Sequence, residues 1–143
     1  MNERNVDFVE RYVTLWNEPD AKLRRRTIKD LWTAEGANYT QASQAVGHDA
    51  LYARVTAAYE DYVGSGKYFF RTHLPPASHH GVVKVTWEMV TVPDEEVASI
   101  GIEFLALDDQ GRISSDHQFI EVFSPRVSRS HGEKLGIQAD TRT

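Results

Sequence analysis

The stretch ASIGIEFLALDDQGRISSDHQFIE, residues 98–121, decides the fold because it reads as two strands joined by a short turn. Apolar and polar residues alternate on both sides of the segment Asp108–Gly111, whose composition is typical of a hairpin loop. The sequence therefore predicts an antiparallel hairpin, and the side chains that share one of its faces are the first candidates for a functional site.

The register of this hairpin brings two carboxyl groups together. If Leu107 faces Arg112, then Glu103 lies opposite Asp116 on one face of the sheet. Facing carboxyls repel and shift each other's pKa, so the pair belongs either to a functional pocket or to a surface in full contact with water. Patterning alone favours the water-exposed alternative, because the opposite face is rich in large apolar residues. These are Ile100, Ile102, Phe104, Ile113 and Phe119.

Length and composition describe an ordinary globular domain. The 143 residues are enough to bury a core, the net charge of −5 argues against nucleic-acid binding, and there is no cysteine. No stretch approaches the roughly 20 apolar residues of a membrane span. The polar N-terminus also lacks the apolar core of a signal peptide. We therefore expect a cytoplasmic protein with neither a nucleic-acid nor a membrane partner.

The histidines do not predict a metal site. His79 and His80 are adjacent in a turn, and no two histidines have the spacing HxH or HxxxH beside a carboxylate. The sequence also has no glycine-rich phosphate loop and no Gly-x-Ser-x-Gly elbow. We expect neither a metal nor another cofactor.

Helical patterning fills the first half of the chain, and strand patterning fills the second. Apolar residues at helical spacing predict helices within residues 6–16, 20–35 and 49–63, with a short strand at Ala37–Gln41. Alternating residues then predict four strands, the first of which stops at Pro75.

Helices followed by a run of strands predict an α+β fold. We expect a cone of three N-terminal helices packed on a curved, mainly antiparallel sheet. This single domain takes in residues 1–123, and residues 124–143 form a polar tail or arm. A sheet bent over helices encloses a conical space, which is a natural pocket for a small molecule.

Several local phrases, in this order, resemble the nuclear transport factor 2-like superfamily, and specifically its SnoaL-like and ketosteroid-isomerase-like branch. The resemblance extends over about residues 5–123, and the order and spacing of the phrases carry it. The phrases are RYVTLWN (11–17), LWTAEGA (31–37), GHDAL (47–51) and DQGRI (109–113). This fold hosts isomerases, cyclases, hydrolases, dehydratases and non-catalytic binders, so it implies no single chemistry.

The resemblance implies roles for individual residues. The phenol that donates to a dienolate oxygen in the isomerases corresponds to Tyr12, and the protonated acid beside it corresponds to Glu103. The general base of those isomerases falls near Thr40, which cannot act as a carboxylate base, so steroid isomerisation is not expected. Gln118 stands where the related epoxide hydrolases have an aspartate, which argues against that chemistry. Asp116 lies nearest to the acid/base residue of the polyketide cyclases.

In the resembled fold the convex sheet face packs in a dimer, which would explain the apolar row and turn the carboxyl pair inward. We therefore expect a homodimer. We also expect a cofactor-free isomerase, cyclase or related lyase that acts on a small hydrophobic molecule bearing a carbonyl group. Glu103 and Asp116 would be its acid and base, and Tyr12 its oxyanion donor. The predicted ligand contacts are Gln118, Trp87, Met89, Val85, Thr40, His73 and Ile120. Two alternatives remain: a non-catalytic ligand-binding module, and a dimerisation domain whose pocket is filled by side chains.

Overall fold

A computed structural model describes residues 3–123, with side chains described for residues 5–121. The predicted tail of residues 124–143 lies outside the described residues. Within them the chain follows the predicted order of two helices, a short strand, a third helix and four strands, and a short strand at residues 44–46 that was not predicted brings the sheet to six strands. The elements are α1 (Glu3–Leu15), α2 (Ala21–Leu31), β1 (Trp32–Tyr39), β2 (Gln44–Val46), α3 (His48–Ala58), a π-helix (Tyr59–Val63), β3 (Tyr68–His79), β4 (Val82–Thr91), β5 (Val97–Leu107) and β6 (Ile113–Phe123).

The strands lie in the order β2-β1-β6-β5-β4-β3 and form a curved, mixed sheet. Every neighbouring pair is antiparallel except β1 and β6, which run parallel. The helices lie on the concave side of the sheet, so the α+β cone expected from the sequence is confirmed.

Two predicted element boundaries are wrong. The second helix ends at Leu31, not near Gly36, because Trp32 is already extended and pairs with Ile113 in β6. The first strand of the second half also runs past Pro75 to His79. It can do so because β3 is an edge strand, where a missing N–H costs no ladder hydrogen bond, and its register slips on the way to Ala77.

The predicted hairpin register is also wrong, and Ile113, which was predicted on the opposite face, is buried in the core. Glu103 pairs with Gln118, and Asp116 pairs with Leu105, so the two carboxyl residues are diagonal neighbours. Leu107 pairs with Ile113 and not with Arg112, which moves the register by one residue, and an irregularity between Ala106 and Leu107 moves it by one more along β6. A shift of two residues leaves the side-chain period intact, so Glu103 and Asp116 still share one face.

The concave face of the sheet is the inner one and packs against α1 and α3. Large side chains from both layers form the core, including Tyr12, Leu51 and Met89. The convex face, which we call the outer face, exposes Phe104 by 39% and Phe119 by 55%. Their rings meet edge to face with centroids 5.9 Å apart, so the outer face carries an apolar patch.

Candidate functional site

A cavity opens between α1, α3 and the inner face of the sheet. The cavity and its open mouth together enclose about 380 Å³ of empty space. The centre of a water molecule fits in only about 30 Å³ of that space. One water needs roughly 10–15 Å³ on that second measure, so the cavity holds about two waters in this conformation. Its walls are formed by Tyr12, Val13, Trp16, Arg54, Ala58, Phe70, Trp87, Glu103 and Gln118.

Two carboxyl residues at this cavity, Glu103 and Asp116, are almost completely buried and form what we call the acid pair. Glu103 is 1% exposed and lines the cavity, whereas Asp116 is 0% exposed and lies behind the wall. Asp116 Oδ2 accepts a hydrogen bond from the Tyr12 hydroxyl at 2.6 Å and another from Asn38 Nδ2 at 3.0 Å. Glu103 Oε2 accepts one from the indole N–H of Trp87 at 2.8 Å.

The remaining oxygens of the acid pair point to a shared proton. Glu103 Oε1 and Asp116 Oδ1 are buried, and no N–H or hydroxyl of the described residues donates to them. The charge of Asp116 raises the pKa of Glu103, so the two carboxyls lie close enough to act on each other. Two ionised carboxylates buried side by side repel each other, which favours a pair that holds one proton. Asp116 receives two other donors and Glu103 receives one, which favours the charge on Asp116 and the proton on Glu103.

The electrostatics of the site agree with this assignment. Burial raises the pKa of Glu103 well above its usual range, and the neighbouring charge and hydrogen bond of Asp116 raise it further. Burial also raises the pKa of Asp116, but hydrogen bonds from Glu103, Tyr12 and Asn38 oppose that rise. Burial and the adjacent carboxyls raise the pKa of the Tyr12 phenol too, so it remains a neutral donor.

Asn38 links the acid pair to a cation. It lies on β1 directly beside Asp116 on β6, and it is 1% exposed. Its Oδ1 accepts a hydrogen bond from Arg54 Nε at 3.3 Å, so its amide is oriented with Nδ2 toward Asp116. The guanidinium carbon of Arg54 lies 5.6 Å from the centroid of the Trp16 ring.

The position of Trp87 depends on a glycine in the next strand. Gly101 pairs with Trp87 across β4 and β5, and a Cβ on Gly101 would lie 2.2 Å from Cζ2 of that indole. No real Cβ approaches another atom so closely. Glycine therefore makes room for the ring that donates to Glu103.

Phe70 completes the aromatic wall, and the loop after α1 holds it in place. Asn17 Nδ2 donates to the Phe70 carbonyl at 2.6 Å, and Asn17 Oδ1 accepts from the Phe70 N–H at 2.8 Å. These two bonds satisfy backbone groups on the free edge of β3. The Phe70 ring then meets Trp87 nearly perpendicularly, with centroids 5.5 Å apart.

The structure brings four of the predicted site residues to the cavity, namely Tyr12, Glu103, Gln118 and Trp87, with Asp116 directly behind them. Their roles toward a ligand remain predictions. The hydroxyl of Tyr12 is directed at Asp116, so it could donate to a ligand oxygen only by releasing that carboxylate.

The other five predicted ligand contacts lie outside the cavity walls among the described residues. Val85 and Met89 are fully buried in the core, and Ile120 packs against the core from a half-buried position. Thr40 is hydrogen-bonded to Ser43 in the loop before β2. His73 lies on β3 and bonds to Glu88 through Nδ1 at 2.8 Å, because Phe70 and Thr72 take the inward-facing positions.

Sequence reasoning missed Arg54 and Asn38. Arg54 stands three residues after Leu51 and four before Ala58, at the margin of the apolar stripe of α3, and that spacing signals a side chain directed partly inward. Asn38 is an amide in the middle of a short apolar strand, where a polar residue needs a buried partner.

The described residues contain no group of three or more His, Asp or Glu side chains arranged to hold a metal ion. Their helices are also too short or too polar to cross a membrane.

Solved structures from several bacteria share this architecture. A proposed isomerase of the SnoaL-like family from Agrobacterium tumefaciens is 22% identical, with a TM-score of 0.76 over 85% of this chain and 100% of its own. A proposed polyketide cyclase from Sinorhizobium meliloti is 13% identical, with a TM-score of 0.61 over 79% of this chain and 94% of its own. An NTF2-like protein of unknown function from Exiguobacterium is 17% identical, with a TM-score of 0.58 over 82% of this chain and 98% of its own.

The sequence matches no protein-family model and no curated protein. The structural likeness confirms the predicted nuclear transport factor 2-like, SnoaL-like fold. At these identities the likeness carries the fold alone, and the activity has to be argued from the site.

Proposed function

We propose that this SnoaL-like fold carries a cofactor-free acid/base catalyst of the isomerase, cyclase or lyase type, acting on a small molecule with a carbonyl group. One observation carries the proposal: two buried carboxyls, each with one oxygen that accepts no hydrogen bond from the described residues, lie together at the wall of an apolar cavity. Carboxyls with raised pKa values beside a cavity are typical of groups that transfer protons near neutral pH.

Glu103 is the group that meets the ligand, because it lines the cavity and Asp116 does not. When the shared proton moves from Glu103 to Asp116, Glu103 becomes a base without any movement of heavy atoms. Glu103 then accepts a proton from the carbon next to the carbonyl, and the C–H electron pair forms the C=C bond of an enolate. Return of the proton to a different carbon completes an isomerisation.

Asp116 carries the negative charge of the pair while Glu103 holds the proton. It does not touch the ligand. Hydrogen bonds from Tyr12 and Asn38 stabilise it as a carboxylate, which keeps the resting proton on Glu103. In this arrangement Tyr12 stabilises the charge of Asp116, and the Gln118 amide in the same wall meets negative charge that develops on the ligand oxygen.

The aromatic wall selects the rest of the ligand. Trp16, Phe70 and Trp87 provide flat apolar surfaces that suit a ring or a short chain. Because the cavity holds about two waters as it stands, the ligand must be small or must displace the aromatic side chains.

The narrow cavity also favours a second candidate, a non-catalytic module in which side chains occupy most of the pocket. Such a protein would act through binding or dimerisation, and its acid pair would be a structural element. This candidate predicts no effect of the protein on the rate of proton exchange in any ligand.

We also propose that two copies pair through their outer faces. The exposed rings of Phe104 and Phe119 form an apolar patch in the middle of the sheet, and soluble monomers rarely expose such patches without a partner.

Proton exchange tests the proposed chemistry directly. Small aryl and cyclic ketones are incubated in D2O with the protein, and loss of the protons next to the carbonyl is followed by NMR. We expect faster exchange with at least one ketone, and loss of that acceleration in Glu103→Gln. The matched control Glu35→Gln, an exposed carboxyl on β1, should leave the rate unchanged. Binding without accelerated exchange would favour the non-catalytic candidate.

A further inference from the structure

Arg54 is a cation in the cavity wall without a carboxylate partner among the described side chains. It stands on α3 beside the buried stripe, is half-buried and lines the cavity. Three other arginines, Arg11, Arg25 and Arg71, each form an ion pair, whereas Arg54 forms none within residues 5–121. A half-buried guanidinium in a cavity is a costly arrangement unless an anion completes it.

The donor geometry of Arg54 leaves most of its capacity for a ligand. A guanidinium has five N–H donors, and the hydrogen bond to Asn38 Oδ1 uses Nε at 3.3 Å. The terminal nitrogens Nη1 and Nη2 remain available for bidentate binding of a planar anion. The Trp16 ring at 5.6 Å supports the guanidinium plane, so less conformational freedom is lost when an anion binds.

Arg54 does not serve as the direct counter-ion of the acid pair. The Asn38 amide stands between them, since it accepts from Arg54 and donates to Asp116. Among the groups that shift the pKa of Glu103 and the pKa of Asp116, Arg54 accordingly has the smallest effect. Its charge is therefore available to a molecule in the cavity.

We infer that Arg54 anchors a carboxylate on the ligand, so that the molecule turned over is a small oxo acid with an apolar group and not a neutral ketone. This inference rests on the proposed function and specifies its substrate class. The carboxylate lies against Arg54, the apolar group lies against the aromatic wall, and the carbon that loses a proton faces Glu103.

An anion bound at Arg54 also affects the acid pair. It offsets the positive charge that lowers the pKa of Glu103, and it adds negative charge nearby. Both effects favour the protonated form of the pair, so binding of a carboxylate raises the midpoint of its titration.

The test uses phenylacetate and phenylacetamide, which differ in the charge of one end group. Binding is followed through the Trp87 indole N–H signal in NMR. We expect wild type to bind phenylacetate at least about tenfold more tightly, the effect of one charge-assisted hydrogen bond. Arg54→Gln should remove that preference and Arg54→Lys should keep part of it. The control Arg25→Gln changes an arginine paired with Asp49 on the surface and should leave the preference intact.

The wild-type comparison alone decides the inference, even if a variant at Arg54 fails to fold. Equal affinity for the two probes overturns the carboxylate anchor and leaves the proposed proton transfer standing. If the protein accelerates proton exchange of a neutral ketone but binds neither probe, the carboxylate anchor is likewise overturned and the proposed proton transfer stands. Absence of both probe binding and ketone exchange overturns the anchor and the proposed function together.

Discussion

Replacement of Glu103 by Gln tests the shared proton without a ligand. The carboxamide has nearly the shape of a protonated carboxyl, so its oxygen can accept from Trp87 and its NH2 group can donate to Asp116. The hydrogen bond from Trp87 is then kept. What changes is the ability of residue 103 to ionise in the unfolded chain.

The sign and size of the effect follow from linkage. The folded pKa of Glu103 is raised, so above the unfolded value near ~4.3 the folded wild type keeps a proton that the unfolded chain has lost. Its free energy of unfolding therefore falls as pH rises, by up to about 1.4 kcal/mol per pH unit, until the pair itself ionises. Residue 103 cannot ionise in Glu103→Gln, so the free energy of unfolding of this variant does not fall with pH for this reason. Between pH 5 and 7 the variant should gain up to about 3 kcal/mol relative to wild type.

Urea denaturation at pH 5, 6 and 7 measures the difference. All other titrating groups are common to both proteins, so they cancel when the two free energies of unfolding are subtracted. The control Glu35→Gln removes an exposed carboxyl of β1 and should show no such trend. If the stabilities of wild type and Glu103→Gln change in parallel over this range, Glu103 is ionised in the folded protein and the shared-proton reasoning is wrong.

Three further predictions concern neighbouring features. Tyr12→Phe removes the 2.6 Å donor to Asp116 and should cost about 1–3 kcal/mol of stability in urea at pH 7, with a smaller cost at low pH, where the carboxyl is protonated. Gly101→Ala should displace the Trp87 indole, shift its N–H signal in NMR and cost about 1–3 kcal/mol through overpacking. Phe119→Asp on the outer face should convert a dimer into a monomer in light-scattering measurements.

Matched variants separate these effects from general damage. Tyr39→Phe removes a hydroxyl outside the cavity and should have little effect on stability. In a Trp87→Phe background, Gly101→Ala should cost less, because the indole it strikes is gone. Leu23→Asp changes an exposed apolar residue of α2 and should leave the mass in solution unchanged. An unchanged mass for Phe119→Asp, with wild type dimeric, would move the interface away from the outer face.

The face shared by Glu103 and Asp116 could be predicted from the sequence, but the register of the hairpin could not. Because the side-chain period is two, the two residues stay on one face only when the register changes by an even number of residues, and here it changes by two. Their pairing partners depend on the irregularity near Ser115, and no residue type in the sequence predicts that irregularity. Patterning also favoured a water-exposed carboxyl pair, whereas α1 covers the pair through Tyr12.

The two site residues that the sequence did not predict, Asn38 and Arg54, depend on contacts between distant segments. Asn38 and Asp116 meet because β1 runs parallel to β6, a pairing that local patterning cannot show. The role of Arg54 likewise depends on other segments, because its side chain is directed by contacts with the Asn38 amide and the Trp16 ring. Local sequence thus predicts the elements and their faces, and the tertiary pairing decides which polar groups converge.

The place of β6 in the sheet has a consequence for folding. It is the last strand of the described chain, yet it lies in the interior of the sheet, between β1 and β5. Until it docks, the nascent protein holds two separate pieces of sheet, each with an open edge, and no acid pair. Contacts such as Tyr12 to Asp116 span 104 residues, so the site forms late and slowly during synthesis. Substitutions that weaken β6 should therefore reduce the yield of folded protein before they alter the chemistry of the cavity.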